Sequence, residues 1–484
     1  MNGPIRRLAI GLFVAFGALL VSVTWFQVVR ADELRSDPRN PRPALTARGK
    51  ERGLIITIDG TVVARSVEEE SGRDFVREYP EGPVFAHVVG YSSFLVGESA
   101  LEAAYSTQLR SRRDLTISDL VSAILGADLR PRNLEITIDA RLQRMAAETL
   151  GGHSGAVVAI DPATGAILAA YSSPSFDPAL LLGSQTAGNW ETLIRDPARP
   201  LNDRATREIY APGSTFKTLV AAAALDTDIA NPGTSFNDPL SFRLPGSTAA
   251  ISNASGRVCN DGESATLRQA FVRSCNTVFA DLAIQVGAAN IAITAEALGW
   301  NRDLDFVWSV PRAVWLTEEL SRDAAALGQS GIGERDVRAT PLHMAMVAAT
   351  VANDGVAVVP YLVQRLFDFD GATVETTPLN PIGRAMTPET AATLTSLMEQ
   401  VVSDGTGRGA SIPGIRVAGK TGTATGQGGF SNPWFIGFAP ADDPTIAIAV
   451  LIEGTPVSGE GASGGSLAAP MAARIIQTWL GLDQ

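Results

Sequence analysis

Hydrophobic and polar positions divide the chain into three stretches. Residues 8–29 form a run of 22 residues without a charge, behind Arg6 and Arg7 and with Trp25 near its far end. A bilayer core takes about 20 apolar residues, so the run predicts one membrane-spanning helix. The two arginines predict that residues 1–7 stay in the cytoplasm and everything after residue 29 lies outside. A cleaved leader would have an apolar part of only about 7–15 residues and a better small-residue site than Val29-Arg30-Ala31.

Residues 30–133 are polar and charged and lack long periodic helices. Residues 52–63 read as two strands about the turn Asp59-Gly60, and residues 68–77 as a charged, exposed stretch. From residue 134 the pattern changes. Residues 134–138 alternate as a strand and lead into a helix over 140–150. Residues 155–160 and 166–171, on either side of Asp161-Pro162-Ala163-Thr164-Gly165, read as a hairpin. Alanine-rich helical patterns occupy 218–225, 267–286 and 342–352, and strands return at 415–419, 434–438 and 445–453. The glycine-rich residues 459–465 read as a mobile loop. A hairpin, a helical middle and terminal strands predict an α+β unit whose antiparallel sheet is built from both its ends.

Composition narrows the functions. The 484 residues are 45% hydrophobic and 19% charged, which suits a large core. A net charge of −12 argues against a nucleic-acid partner. The two cysteines and three histidines show no metal-ligand spacing, so neither a metal nor another cofactor is expected. Lysine occurs only at Lys50, Lys217 and Lys420, against 36 arginines. A guanidinium stays charged, whereas a desolvated lysine can release its proton, so the surviving lysines are candidates for chemistry.

Two of the three lie in motifs. In Ala211-Pro212-Gly213-Ser214-Thr215-Phe216-Lys217, the Pro-Gly turn predicts that Ser214 opens a helix with Lys217 one turn later on the same face. A helix N-terminus favours a nucleophile that becomes an anion, and a neutral lysine can take its proton; an ordinary N-cap serine is the bland alternative. Ser274-Cys275-Asn276 offers a hydroxyl and an amide, or simply a polar kink. Lys420-Thr421-Gly422-Thr423 closes the segment Gly414-Ile415-Arg416-Val417-Ala418-Gly419-Lys420-Thr421, which fits a phosphate-loop pattern. That pattern needs a strand before it and a helix after it. A turn precedes it here, and Gly426, Gly428, Gly429 and Pro433 exclude the helix.

Ser-x-x-Lys, Ser-x-Asn and Lys-Thr-Gly in this order resemble the motif set of penicillin-binding proteins and serine β-lactamases. Along nearly its full length the chain resembles class B penicillin-binding proteins, in their short actinobacterial form. Arg52-Gly53, Asp59-Gly60 and Gly97-Glu98-Ser99-Ala100-Leu101-Glu102 resemble that class's N-terminal pedestal. Thr340-Pro341-Leu342-His343 and Asn432-Pro433-Trp434-Phe435 resemble its transpeptidase domain, while Asn202-Asp203-Arg204-Ala205 departs from the usual Asn-Arg-Ala.

The resemblance implies a cytoplasmic tail (1–7), an anchor (8–29), a β-rich pedestal of dimerisation type (30–133) and a transpeptidase domain (134–484). That domain would have the penicillin-binding/serine β-lactamase-like fold, an antiparallel sheet with a helical subdomain. It implies a peptidoglycan D,D-transpeptidase that cross-links stem peptides at D-Ala-D-Ala and is acylated by β-lactams. Ser214 would be the nucleophile, Lys217 the base, Ser274 the proton relay and Asn276 the holder of the stem. Lys420 would supply positive charge, and Thr421, Gly422 and Thr423 the substrate-binding strand. A polytopic glycosyltransferase of the shape, elongation, division and sporulation (SEDS) family is the implied partner. A D,D-carboxypeptidase and a non-catalytic scaffold are the rival functions; the sequence shows no confident deacylating glutamate. Cys259 and Cys275 lie in the outer part and predict a disulfide, two buried thiols being the alternative.

Overall fold

The computed structural model describes residues 2–30, 34, 49–69, 74–110, 130–260, 262–455 and 461–482. The chain divides into a small unit, Met1–Glu51 with Val67–Val76, and a large one, Arg52–Ser66 with Arg77–Gln484. In the small unit, helix α1 (Asn2–Thr24) runs on into a π-helical turn, Trp25–Val29. Its span Gly3–Gln27 is long and apolar enough to cross a membrane, and side chains such as Leu8 and Phe13 are exposed.

The large unit contains two main sheets. In the first, β1 (Ile55–Thr57), β2 (Val62–Glu68), β3 (Asn133–Ile136) and β6 (Val363–Phe367) lie side by side in the order β6–β3–β1–β2. β1 and β2 are antiparallel about the predicted turn, where Gly60 at φ +82° lets its N–H reach Thr57 O at 2.9 Å. β3 pairs parallel with β1 and antiparallel with β6, so this sheet draws strands from far apart in the chain. Beside it, Glu102 is completely buried and accepts from Arg52 Nη2 (2.6 Å), Arg77 Nε (2.6 Å) and Tyr79 OH (3.2 Å). Each charge there has a partner, which burial requires. Arg77 is therefore not part of an exposed stretch.

The second sheet is antiparallel throughout. It comprises β4 (Gly155–Ile160), β5 (Ile167–Ser173), β7 (Ala418–Thr425), β8 (Ser431–Ala439) and β9 (Ile446–Ile452), in the order β7–β8–β9–β4–β5. The sheet does unite both ends of the unit. β4 and β9 are buried at every position because helices cover both faces. On one face α2 (Ala140–Leu150) and α7 (Ala469–Trp479) pack Leu142, Ala146, Ile475 and Ile476 against Val157, Ile448 and Val450. On the other lies α6 (Pro341–Ala352), apolar on nearly every side and buried from Pro341 to Val351. It starts where Thr340 accepts the His343 N–H and proline takes the first position.

Four expectations need correction. The helical pattern over 267–286 is two helices, α4 (Leu267–Arg273) and α5 (Asn276–Val286), broken at Ser274, whose φ is +62°. The helix of the first motif, α3 (Lys217–Asp226), begins at Lys217, and Ser214 sits on a 3-10 turn, Gly213–Phe216, before it. The strand placed at 415–419 starts at Ala418 and runs through the whole motif to Thr425. Of residues 459–465, 459 and 460 lie outside the described residues, and a helical turn begins at Gly464.

Candidate active site

Three segments distant in sequence meet in a cleft of about 560 Å³, lined by Ser214, Ser274, Asn276, Thr421, Gly422 and Thr423 among others. Their closeness depends on missing side chains. A Cβ on Gly213 (φ +53°) would stand 2.9 Å from Thr423 O, and one on Gly422 would stand 2.9 Å from Pro212 O. Glycine at both positions lets the serine turn lie directly against β7. On the other side Gly213 N donates to Gly333 O at 2.9 Å, where a Cβ on Gly333 would overlap Gly213 O.

Lys217 and Lys420 are both completely buried. Lys217 Nζ donates to Ser274 O (2.8 Å) and Asn276 Oδ1 (2.7 Å) and lies 3.4 Å from Ser274 Oγ. Lys420 Nζ reaches the same Oγ at 2.9 Å and Thr421 O at 2.9 Å. Burial, helped by the charge of Lys420, pulls the Lys217 pKa far below the usual lysine range. Burial alone brings Lys420 down to about 7. Two ammonium groups cannot comfortably share one buried hydroxyl, so a neutral Lys217 accepting from Ser274 and a protonated Lys420 donating to it is the favoured arrangement. Among the described residues the Ser214 hydroxyl makes no hydrogen bond; the lysine amine rests on Ser274 and Asn276.

The break at Ser274 places it here, and its surroundings fix the Ser-x-Asn segment. Asn253 Oδ1 accepts from Asn276 N (2.7 Å) and Thr277 N (3.2 Å), and Asn276 Nδ2 donates to Ser252 O (3.1 Å). A disulfide joins Cys259 to Cys275, between the two motif residues. On β7, Thr421 is nearly buried and shares a hydrogen bond with Thr406 (2.6 Å), while Thr423 is open to the cleft and accepts from Gly464 N (3.3 Å).

Sequence reasoning missed Asn253, Thr406, the turn Gly464–Ala468 and Glu334. Glu334 lines the cleft, accepts from Thr425 N at 3.1 Å and has its carboxyl pKa raised by burial. The nearby Thr340-Pro341 helix start was the only sequence signal near it; nothing marked Asn253 or Thr406. The departure at Asn202-Asp203-Arg204-Ala205 now has a reason. Asp203 Oδ1 accepts from Ala205 N (2.9 Å) and Thr206 N (3.2 Å), capping the turn that presents Arg204 to Glu453 (3.0 Å). The phosphate-loop pattern falls in β7 and is followed by a hairpin, so it forms no anion-binding helix start.

A helix-covered antiparallel sheet with a serine turn and two buried lysines converging on a second serine defines an acyl-transferring serine enzyme. The penicillin binding protein transpeptidase domain family matches residues 155–477, and the penicillin binding protein A dimerisation domain family matches residues 52–134. The chain belongs to the class B penicillin-binding proteins. It is 41% identical to the peptidoglycan D,D-transpeptidase PbpA of Mycolicibacterium smegmatis, over 97% of each chain. With PbpA of Mycobacterium tuberculosis the identity is 40% over 99% of each chain. The structure of that protein as a penicillin G acyl-enzyme complex superposes with a TM-score of 0.80 and 38% identity, covering 89% of this chain and all of that one. A D,D-transpeptidase domain from Eggerthella lenta gives 0.79 and 34%, over 90% and 99%.

Proposed function

We infer that this chain is a peptidoglycan D,D-transpeptidase, acting through a Ser214 acyl-enzyme that β-lactams also form. The observation that carries the reading is Lys217: fully enclosed, pulled toward its neutral form, and one turn from Ser214 with its amine on Ser274. Ser214 Oγ attacks the carbonyl of the penultimate D-alanine as Lys217 takes its proton. The oxyanion settles between the N–H groups of Ser214 and Thr423, where one donor is worth about 3–4 kcal/mol. The proton then passes through Ser274 to the amine of the leaving D-alanine. An amine on a second stem attacks the ester, restores Ser214 and leaves a cross-link. Thr421, Thr423 and Lys420 hold the terminal carboxylate, which draws Lys420 fully into its charged form; Gly422 keeps the strand close to the serine, and Asn276 holds the stem.

The apolar helix anchors the chain with the active site outside the cytoplasm, because Arg6 and Arg7 stay inside. The pedestal ends near residue 133. It and the anchor meet a SEDS-family glycosyltransferase, which makes the glycan strand that this enzyme cross-links. Incubating the protein with polymerised, uncross-linked peptidoglycan and weighing the digested products tests the reaction. Cross-linked dimers are expected; products trimmed of one D-alanine without dimers would make it a carboxypeptidase.

A further inference from the structure

β7 is the edge strand of its sheet, so one side of its backbone is unpaired. Backbone groups alternate in direction along an antiparallel strand. Gly426 N points across the hairpin to Phe430 O (2.7 Å), whereas Thr421 O points into the cleft to Lys420 Nζ and Thr425 N points there to Glu334. Thr421 and Thr423 thus turn their backbone toward the cleft, with Thr425 next along the same edge and its N–H held by Glu334. In the reaction above, the terminal carboxylate lies on Thr421 and Thr423 and the scissile carbonyl on Thr423 N–H. The residue before the two D-alanines then runs on toward Thr425, about 3.3 Å per residue in extended chain. There it meets Glu334.

Glu334 is half-buried and, among the described residues, is the single carboxylate lining the cleft. Among the described residues no cation is in ion-pair contact with it, although the charge of Arg338 acts on it from further off and favours its ionised form. Arg335 is paired with Asp336 (2.9 Å), and Arg338 Nη1 is held by Arg335 O and Val337 O. Arg273, the one cationic residue lining the cleft among the described residues, donates to Cys259 O (2.7 Å). A partly desolvated carboxylate whose hydrogen bonds among the described residues come from Thr425, with Arg338 acting on it only through space, is well suited to receive a cation.

We propose that Glu334 is a specificity residue that receives the ammonium group of an amine-bearing side chain on the stem residue preceding D-Ala-D-Ala. The proposal rests on the transpeptidase reading and names the donor class that this site selects. The test uses two synthetic donors, Nα-acetyl-L-Lys-D-Ala-D-Ala and its Nε-acetylated counterpart. Each competes against a fluorescent penicillin for the full-length protein, and the ratio of half-inhibitory concentrations is read. For the wild type the free amine is expected to compete about tenfold better, as one partly desolvated ion pair allows. In Glu334→Gln the amide still accepts the Thr425 N–H, so a purely structural cap would leave the ratio standing. The proposal expects it to collapse toward one, with Glu334→Asp recovering part of it. No preference in the wild type, or a preference that survives in Glu334→Gln, overturns the assignment. Covalent labelling of the wild type by penicillin, followed by intact mass, is the separate arm: its absence sinks the transpeptidase reading itself.

Discussion

Arg204 and Lys217 are both enclosed by protein, and only one of them can give up its proton. The guanidinium of Arg204 donates to Glu453 Oε2 (3.0 Å) and to the carbonyl oxygens of Ala198 (2.9 Å) and Arg199 (3.2 Å), and a guanidinium is no base near neutral pH. Lys217 has only neutral partners, so burial drives it toward the amine. Lys217→Arg is expected to abolish acylation, a fall of about 10²–10⁴ or more, because a guanidinium cannot act as base near neutral pH. Lys420→Arg keeps a positive charge and should leave measurable acylation. Intact mass after mixing with a β-lactam counts the acyl-enzyme, and melting temperature controls for folding. A well-folded Lys217→Arg that acylates at the wild-type rate would end the proposed base role. The pH dependence follows. Measured as kcat/KM, acylation should rise with pH as Lys217 loses its proton and fall again above about 7, where the free enzyme's Lys420 loses the charge that a substrate carboxylate needs.

The element that holds the Ser-x-Asn segment is a break between two helices, and local chemistry alone would not fix it there. α4 has a full capping box, Thr266 with Gln269, and ends at Ser274 in the left-handed region, where α5 starts without a side-chain cap. The disulfide to Cys259 and the amide of Asn253 secure that junction. Closing a loop of this size is worth about 3 kcal/mol through the unfolded chain. The double substitution Cys259→Ser with Cys275→Ser should therefore lower the melting temperature by several degrees and slow acylation. Alkylation of the denatured, unreduced wild type should find no free thiol. Two labelled cysteines would refute the bond, and acylation unchanged in the variant would show that it does not support Asn276.

For the whole molecule, the expected arrangement is one crossing with everything after residue 29 outside. Reporters active on only one side of a membrane, fused at Gln484, should signal from outside; a cytoplasmic signal would overturn the topology. The purified chain should make no glycan polymer from lipid-linked precursor. At this scale the division between sequence and structure is clear. The apolar run, most of the sheet strands and the two lysines were legible because each signal is local: a hydrophobic length, a periodicity, a residue type spared where arginine prevails; the strand Val363–Phe367 and the true start of β7 at Ala418 were not. The three motifs were likewise legible as motifs. Only the folded chain shows what the glycines at 213, 333 and 422 are for: they let the serine turn lie against β7 on one side and against Gly333 on the other. It also decided that the polar kink read at Ser274-Cys275-Asn276 carries Ser274 to both lysines, and that Glu334, Asn253 and Thr406 belong to the cleft. Those facts depend on which distant segments share a surface. A single chain's local pattern does not encode that proximity; the packing of the sheet between its helices supplies it.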